Sequence, residues 1–193
     1  MNKHIFTLDK LKNFPLIKDV VVKPLKVNRD KRGILVETLK KEWKDVFNNK
    51  ELSFAQNYYS ITDPGVARDE NQWHVHPTKQ MDRFVVMKGD IVVVLCDWRK
   101  NSPTYQYMNW FKMGESNDDN GQYLLLVPIN VLHCFIVVGK KPAILMNFPT
   151  QLYDPKEEGR VSFKDVKLKD GSYFSWDLVS LRHPNPPAGG RGI

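Results

Sequence analysis

His74 and His76 stand two residues apart in QWHVHPTKQMD, Asp82 closes that stretch, and His133 lies further along in VPINVLHCF. In a β-strand, residues i and i+2 point to the same side. Both imidazoles therefore face one way, with a carboxylate arriving from the next strand. If the sheet closes on itself, all four side chains meet in its interior. Neutral imidazoles plus one carboxylate are ligands for a divalent transition metal such as Zn, Mn, Fe or Ni. A coordination position left open would then permit Lewis-acid catalysis. The same side chains also suit a polar pocket doing acid–base work without a metal. The plainest alternative leaves the histidines exposed on an edge strand. With three of the chain's five histidines in this arrangement, a site is the better reading.

Arg68, Lys79, Arg83 and Arg99 are candidates for holding an anionic ligand, because a guanidinium grips phosphate oxygens in a bidentate fork. Arg68 leads this group, since it follows the PGV turn and runs into the histidine strand. Asp97 and Arg99 are two apart, share a face, and read as an ion pair at a strand end. Tyr58, Tyr59, Tyr105 and Tyr153 are candidate general acids or stacking platforms. Aromatic residues in small barrels nevertheless more often belong to the core.

The elements that position these residues are mostly strands. Val20–Val22 is a β-branched run stopped by Pro24, RDKRG (29–33) is a turn, and Ile34–Val36 leaves it as a strand. In ETLKKEWKDVFNN (37–49), Leu39, Trp43, Val46 and Phe47 recur at helical spacing, which predicts a helix packed outside a sheet. From Leu52 to Met146 short apolar runs alternate with turn signals such as DPG, KGD and GKKP. That texture predicts an all-β sandwich or barrel with a few peripheral helices. The chain of 193 residues reads as one domain, with a core barrel over 20–160. A Pro/Gly-dense tail over 180–193 reads as flexible or as an arm lying on a partner.

The formal charge of +7 is spread along the chain rather than clustered, so an anionic small molecule accounts for it better than nucleic acid. The apolar runs are too short to span a bilayer, and no signal peptide is visible at the N-terminus. Cys96 and Cys134 both sit in strand-like runs and read as two buried thiols in a reducing cytoplasm.

RDKRG with ILVE, then QNYYS, PGVAR, VVMKGDIVVVLCDWRKNSPTY, VPINVLHCF and YDPKEEGR occur in that order. Together they resemble the dTDP-4-dehydrorhamnose 3,5-epimerase family, a branch of the cupin superfamily, over about Val20 to Arg160. The resemblance implies a cupin jelly-roll barrel, a homodimer, and catalysis without a cofactor. It further implies a histidine base that removes the proton beside a 4-keto group, and a tyrosine on the opposite face that returns one. On this chain those roles fall to His76 or His74 and to a tyrosine such as Tyr153 or Tyr105. Binding of the sugar and its diphosphate falls to Arg68, Gln56, Lys79, Arg83, Tyr105 and His133. The chain also departs from the family pattern. The run begun at Arg68 continues as Asp69-Glu70-Asn71, Asp82 stands where a lysine is expected, and Met146 stands where a tyrosine is expected. His74, His76, Asp82 and His133 resemble instead the ligand set of metal-binding cupins.

Three readings follow: an epimerase or isomerase acting on a nucleotide-activated 4-keto-6-deoxy sugar, a metal-dependent cupin enzyme, and a non-catalytic sugar-binding cupin.

Overall fold

The computed structural model describes residues 5–48 and 50–178, and the tail expected over 180–193 lies outside the described residues. In chain order the strands are β1 (Ile5–Phe6), β2 (Val21–Pro24), β3 (Val27–Asp30), β4 (Gly33–Val36), β5 (Tyr58–Thr62), β6 (Ala67–Arg68), β7 (Gln72–Val75), β8 (Asp82–Lys88), β9 (Asp90–Asp97), β10 (Met108–Gly114), β11 (Tyr123–Val127), β12 (Val131–Val137), β13 (Ala143–Asn147) and β14 (Gly159–Ser162). They form a cupin-type jelly roll of two facing sheets. One sheet runs β1-β10-β9-β12-β7-β14 with β6 also on β12, the other runs β2-β11-β8-β13-β5, and β3 with β4 is a separate hairpin.

The alternation of side chains assigns each residue to a layer. On β9, Ile91, Val93 and Leu95 enter the core between the sheets. Val92, Val94 and Cys96 point the other way, onto a layer built by Trp73, Phe163 and Phe174. Both faces of β9 are therefore covered, which is why its sequence is one unbroken apolar run. The turn between β8 and β9 needs glycine. Gly89 has φ +71°, and a Cβ there would stand 2.6 Å from the Pro142 carbonyl oxygen.

The helix expected over 37–49 does not form. Only short 3-10 helices occur among the described residues, and 37–48 is irregular chain with turns at 41–42 and 44–46. Leu39, Trp43 and Val46 do pack on the outside of the five-stranded sheet, beside Val85, Leu124 and Leu126. Past these turns the segment is tied to β8 by a buried side chain. The Arg83 guanidinium takes the oxygens of Val46 and Leu52 at 3.0 and 3.1 Å and that of Ser53 at 2.9 Å. Asp97 and Arg99 do form the ion pair that their spacing predicts, at 2.8 Å. Both cysteines are buried free thiols.

Candidate active site

His74 on β7 and His133 on β12 are direct register partners in the seven-stranded sheet. His74 lies on the opposite face of β7 from Trp73 and Val75, which belong to the outer aromatic layer. His133 likewise alternates with Leu132 and Cys134 of that layer. Asp82 shares the inner face of β8 with Phe84 and Val86, while Arg83 points outward. The carboxylate thus comes from the facing sheet, not from a neighbouring strand of the same sheet. Between the sheets the Nε2 atoms of His74 and His76 lie 3.1 Å apart. Asp82 Oδ2 is 3.1 Å from His76 Nε2 and 3.4 Å from His133 Nε2.

The remaining polar atoms fix how these rings are used. His76 Nδ1 donates to the Glu157 carbonyl oxygen at 2.8 Å, and His133 Nδ1 donates to that of Val131 at 3.1 Å. Each ring is thereby set with Nε2 toward Asp82. The other carboxylate oxygen of Asp82 accepts from the amides of Gln80 (2.9 Å) and Asn147 (2.8 Å). A lone pair of His76 facing Asp82 Oδ2 requires a cation between them, and a proton supplies it. Burial alone would push His76 down, yet the hydrogen bond and charge of Asp82 raise its pKa. Asp82 is fully buried, but His133 and His76 hold it well below the ordinary carboxylate range. His76 and Asp82 are best described as an imidazolium–carboxylate pair.

His74 behaves oppositely. Burial and the neighbouring imidazoles of His133 and His76, with Arg160, push its pKa down to about 2. Arg160 donates to His74 Nδ1 and is itself held by Asp69 at 2.7 Å. A neutral, cavity-facing imidazole beside a charged pair follows.

This has a consequence for stability. An unfolded histidine takes up a proton near pH 6.5, whereas folded His74 refuses one down to about pH 2. The unfolded state binds more protons in that window, so stability falls as pH drops below about 6.5, by as much as ~1 kcal/mol per pH unit. His76, being raised, contributes in the opposite sense and in a different window, losing its stabilisation as pH rises through its folded value. Urea midpoints at pH 7, 6 and 5 check this, with His74→Asn expected to flatten the acid-side decline.

The cavity in front of the cluster has a volume of about 220 Å³. His74 and His133 line it from one sheet, and Tyr58, Asp82, Phe84 and Asn147 line it from the other. Arg68 and Arg160 are exposed residues on its lining. Of the binding residues expected from sequence, Arg68 and His133 reach the cavity. Four do not. Arg83 is 0% exposed, and its guanidinium is committed to backbone carbonyls, so it is a structural residue. Gln56 donates to the Gln151 carbonyl oxygen, and Tyr105 stacks on Trp98. Lys79 contributes its backbone N–H to the Glu157 carboxylate, and its side chain is not on the lining. Tyr153, expected as the acid, is 70% exposed and also off the lining.

Asn147, Gln80, Glu157 and Arg160 were not expected from sequence. Asn147 had a detectable signal, since it continues the inward parity of Ala143 and Leu145 on β13. Glu157 had none. Its carboxylate takes the N–H groups of Thr78 and Lys79 and the Thr78 hydroxyl, pinning the loop between His76 and Asp82.

The jelly roll encloses an imidazole–carboxylate cluster with arginines on the cavity lining, and the proteins this chain is similar to make it an isomerase-type enzyme of the sugar-nucleotide epimerase class. The chain belongs to the dTDP-4-dehydrorhamnose 3,5-epimerase family, whose model matches residues 15–180. It is 42% identical over 147 residues to a probable low-salt glycan biosynthesis epimerase of Haloferax volcanii, covering 75% of this chain and 87% of that protein. A dTDP-4-dehydrorhamnose 3,5-epimerase from Sulfolobus tokodaii superposes with a TM-score of 0.63 at 27% identity, over 80% of this chain and 83% of that one. A dTDP sugar isomerase from Desulfovibrio desulfuricans G20 superposes with a TM-score of 0.72, over 86% of this chain and 95% of that one. At 23% identity this last likeness is one of fold.

Proposed function

We propose that this protein epimerises a nucleotide-activated 4-keto-6-deoxy sugar by removing a proton from the carbon beside the ketone, with His74 as the base. The observation that carries this reading is the His74 imidazole facing a cavity whose opposite wall holds Asp82. Loss of a proton next to a ketone needs a positioned base and stabilisation of the enolate oxygen. The proton between His76 and Asp82 supplies a positive partner for that oxygen. Arg160 and Arg68 are suited to the substrate's diphosphate. A guanidinium that leaves His74 Nδ1 for a phosphate oxygen also releases the lone pair the base needs. Incubation with a dTDP-4-keto-6-deoxyhexose, with the configuration beside the ketone read by NMR, tests this reading. An inverted centre is expected, and an unchanged sugar in the presence of folded protein counts against it.

A second reading rests on one observation: the ligand atoms of His74, His76 and His133 lie within 4.8 Å of one another. These three, with Asp82, are the residues that would hold a divalent ion, and a bound ion would supply Lewis-acid stabilisation of an enolate. The proton between His76 and Asp82 meets the same electrostatic need, so the first reading predicts that chelator-treated protein keeps its epimerase rate. Activity lost on chelation and restored by one metal would transfer the site to the second reading.

Among the described residues no helix is long and apolar enough to cross a membrane. Two buried free thiols support a cytoplasmic setting. Exposed Ile34 and Leu35 on the β3–β4 hairpin support a homodimer.

A further inference from the structure

Inversion at carbon needs a second group that delivers a proton to the face opposite the base. The base proposed above stands on the seven-stranded sheet, so the acid must come from the five-stranded one. The cavity-lining side chains of that sheet are Tyr58, Ser60, Asp82, Phe84, Leu145 and Asn147. Phe84 and Leu145 have no transferable proton, the Asn147 amide is not an acid, and Asp82 is ionised. A serine hydroxyl is a far weaker acid than a phenol. Tyr58 remains.

We infer that Tyr58, on β5, is the general acid of this chain, taking over the role that the family gives to a tyrosine at the position of Met146. Met146 itself points outward and packs with Val85, Leu124 and Phe148. Tyr58 and Asn147 are direct cross-strand partners of β5 and β13, so the phenol reaches the cavity from the neighbouring strand. The residue is 48% exposed, but its hydroxyl oxygen accepts a hydrogen bond from Asn147 Nδ2 at 2.9 Å. Asn147 is in turn anchored on Asp82 Oδ1 at 2.8 Å. Because the phenol oxygen accepts from Asn147, its own O–H is left to donate into the cavity. Burial and the charge of Asp82 raise the Tyr58 pKa to about 12, so the proton is in place across the neutral range. The other tyrosines fail on position: Tyr59 lies on the outer face of β5, Tyr105 stacks on Trp98, and Tyr153 is off the cavity.

The step balances without a co-reactant. His74 takes the proton as the C–H bond breaks, and the electron pair moves into the enolate. The Tyr58 O–H bond then breaks as a new C–H bond forms on the other face, leaving a phenolate. Solvent removes the proton from His74 and reprotonates Tyr58.

This inference rests on the epimerase reading, and one experiment separates the two. Wild-type protein and Tyr58→Phe are incubated with a dTDP-4-keto-6-deoxyhexose in heavy water, following deuterium uptake and inversion separately. The expected result for Tyr58→Phe is continued uptake with retained configuration, and inversion slowed at least ~100-fold. Tyr153→Phe should match wild type in both. Inversion by Tyr58→Phe at the wild-type rate, or equal loss of uptake and inversion in the folded variant, overturns the role of Tyr58 alone. Absence of uptake by the wild type overturns the epimerase reading beneath it.

Discussion

Replacing His74 by asparagine should abolish both deuterium uptake and inversion, with a loss on the order of 10³-fold, while the protein stays folded. Both partial reactions fail together because the first proton transfer is common to them, which sets this variant apart from Tyr58→Phe. The loss should be steep because the neighbouring rings cannot substitute. His76 is buried, with Nδ1 on the Glu157 carbonyl and Nε2 against Asp82, and it is off the cavity lining. His133 lines the cavity, but its Nε2 is turned toward Asp82. The fold should survive because Asn leaves no buried charge behind, and Arg160, which loses its bond to His74, keeps its bond to Asp69. Uptake rates on the variant, with circular dichroism as the control for folding, check the prediction.

Replacing Arg83 by methionine should cost stability rather than binding. The side chain is 0% exposed and carries bonds to the carbonyls of Phe148, Val46, Leu52, Ser53 and Pro149. These tie Val46, Leu52 and Ser53, with the loop that follows β13, to the outer face of β8. Burial lowers its pKa to about 10, with Asp82 opposing, so it stays cationic at neutral pH. Methionine matches the aliphatic stem but leaves those acceptors without donors, at a cost of roughly 3–5 kcal/mol. That is a large share of the stability of a domain this size. Arg83→Lys should recover only part of it, because an ammonium cannot reproduce the planar fork. Urea denaturation gives the answer. An unchanged midpoint with weakened nucleotide binding would return Arg83 to the substrate site.

The contrast between Arg83 and Asp82 marks what the sequence made legible. Strand parity is written in the chain, so it correctly gave His74 and His76 one face; the same parity sets Arg83 opposite Asp82, although both are offered above as site residues. It did not say which sheet each strand joins, so the carboxylate was expected from a neighbour and instead comes from the facing wall. The acceptors of Arg83 are backbone carbonyls, which leave no residue signature, and its guanidinium was therefore read as a ligand for phosphate. The apolar spacing of Leu39, Trp43 and Val46 was real, and it serves packing on the sheet without a helical backbone. Tyr153 drew notice because it sits in the YDPKEEGR run, whereas Tyr58 becomes special only once β5 and β13 are seen side by side.

The account turns on a proton leaving the sugar carbon beside the ketone for a side chain of the seven-stranded sheet. Mass spectrometry of a dTDP-4-keto-6-deoxyhexose after incubation with wild-type protein in heavy water tests this most directly. The prediction is a gain of solvent deuterium beside the ketone that disappears with His74→Asn. No gain with folded wild-type protein, or an undiminished gain with His74→Asn, would contradict it.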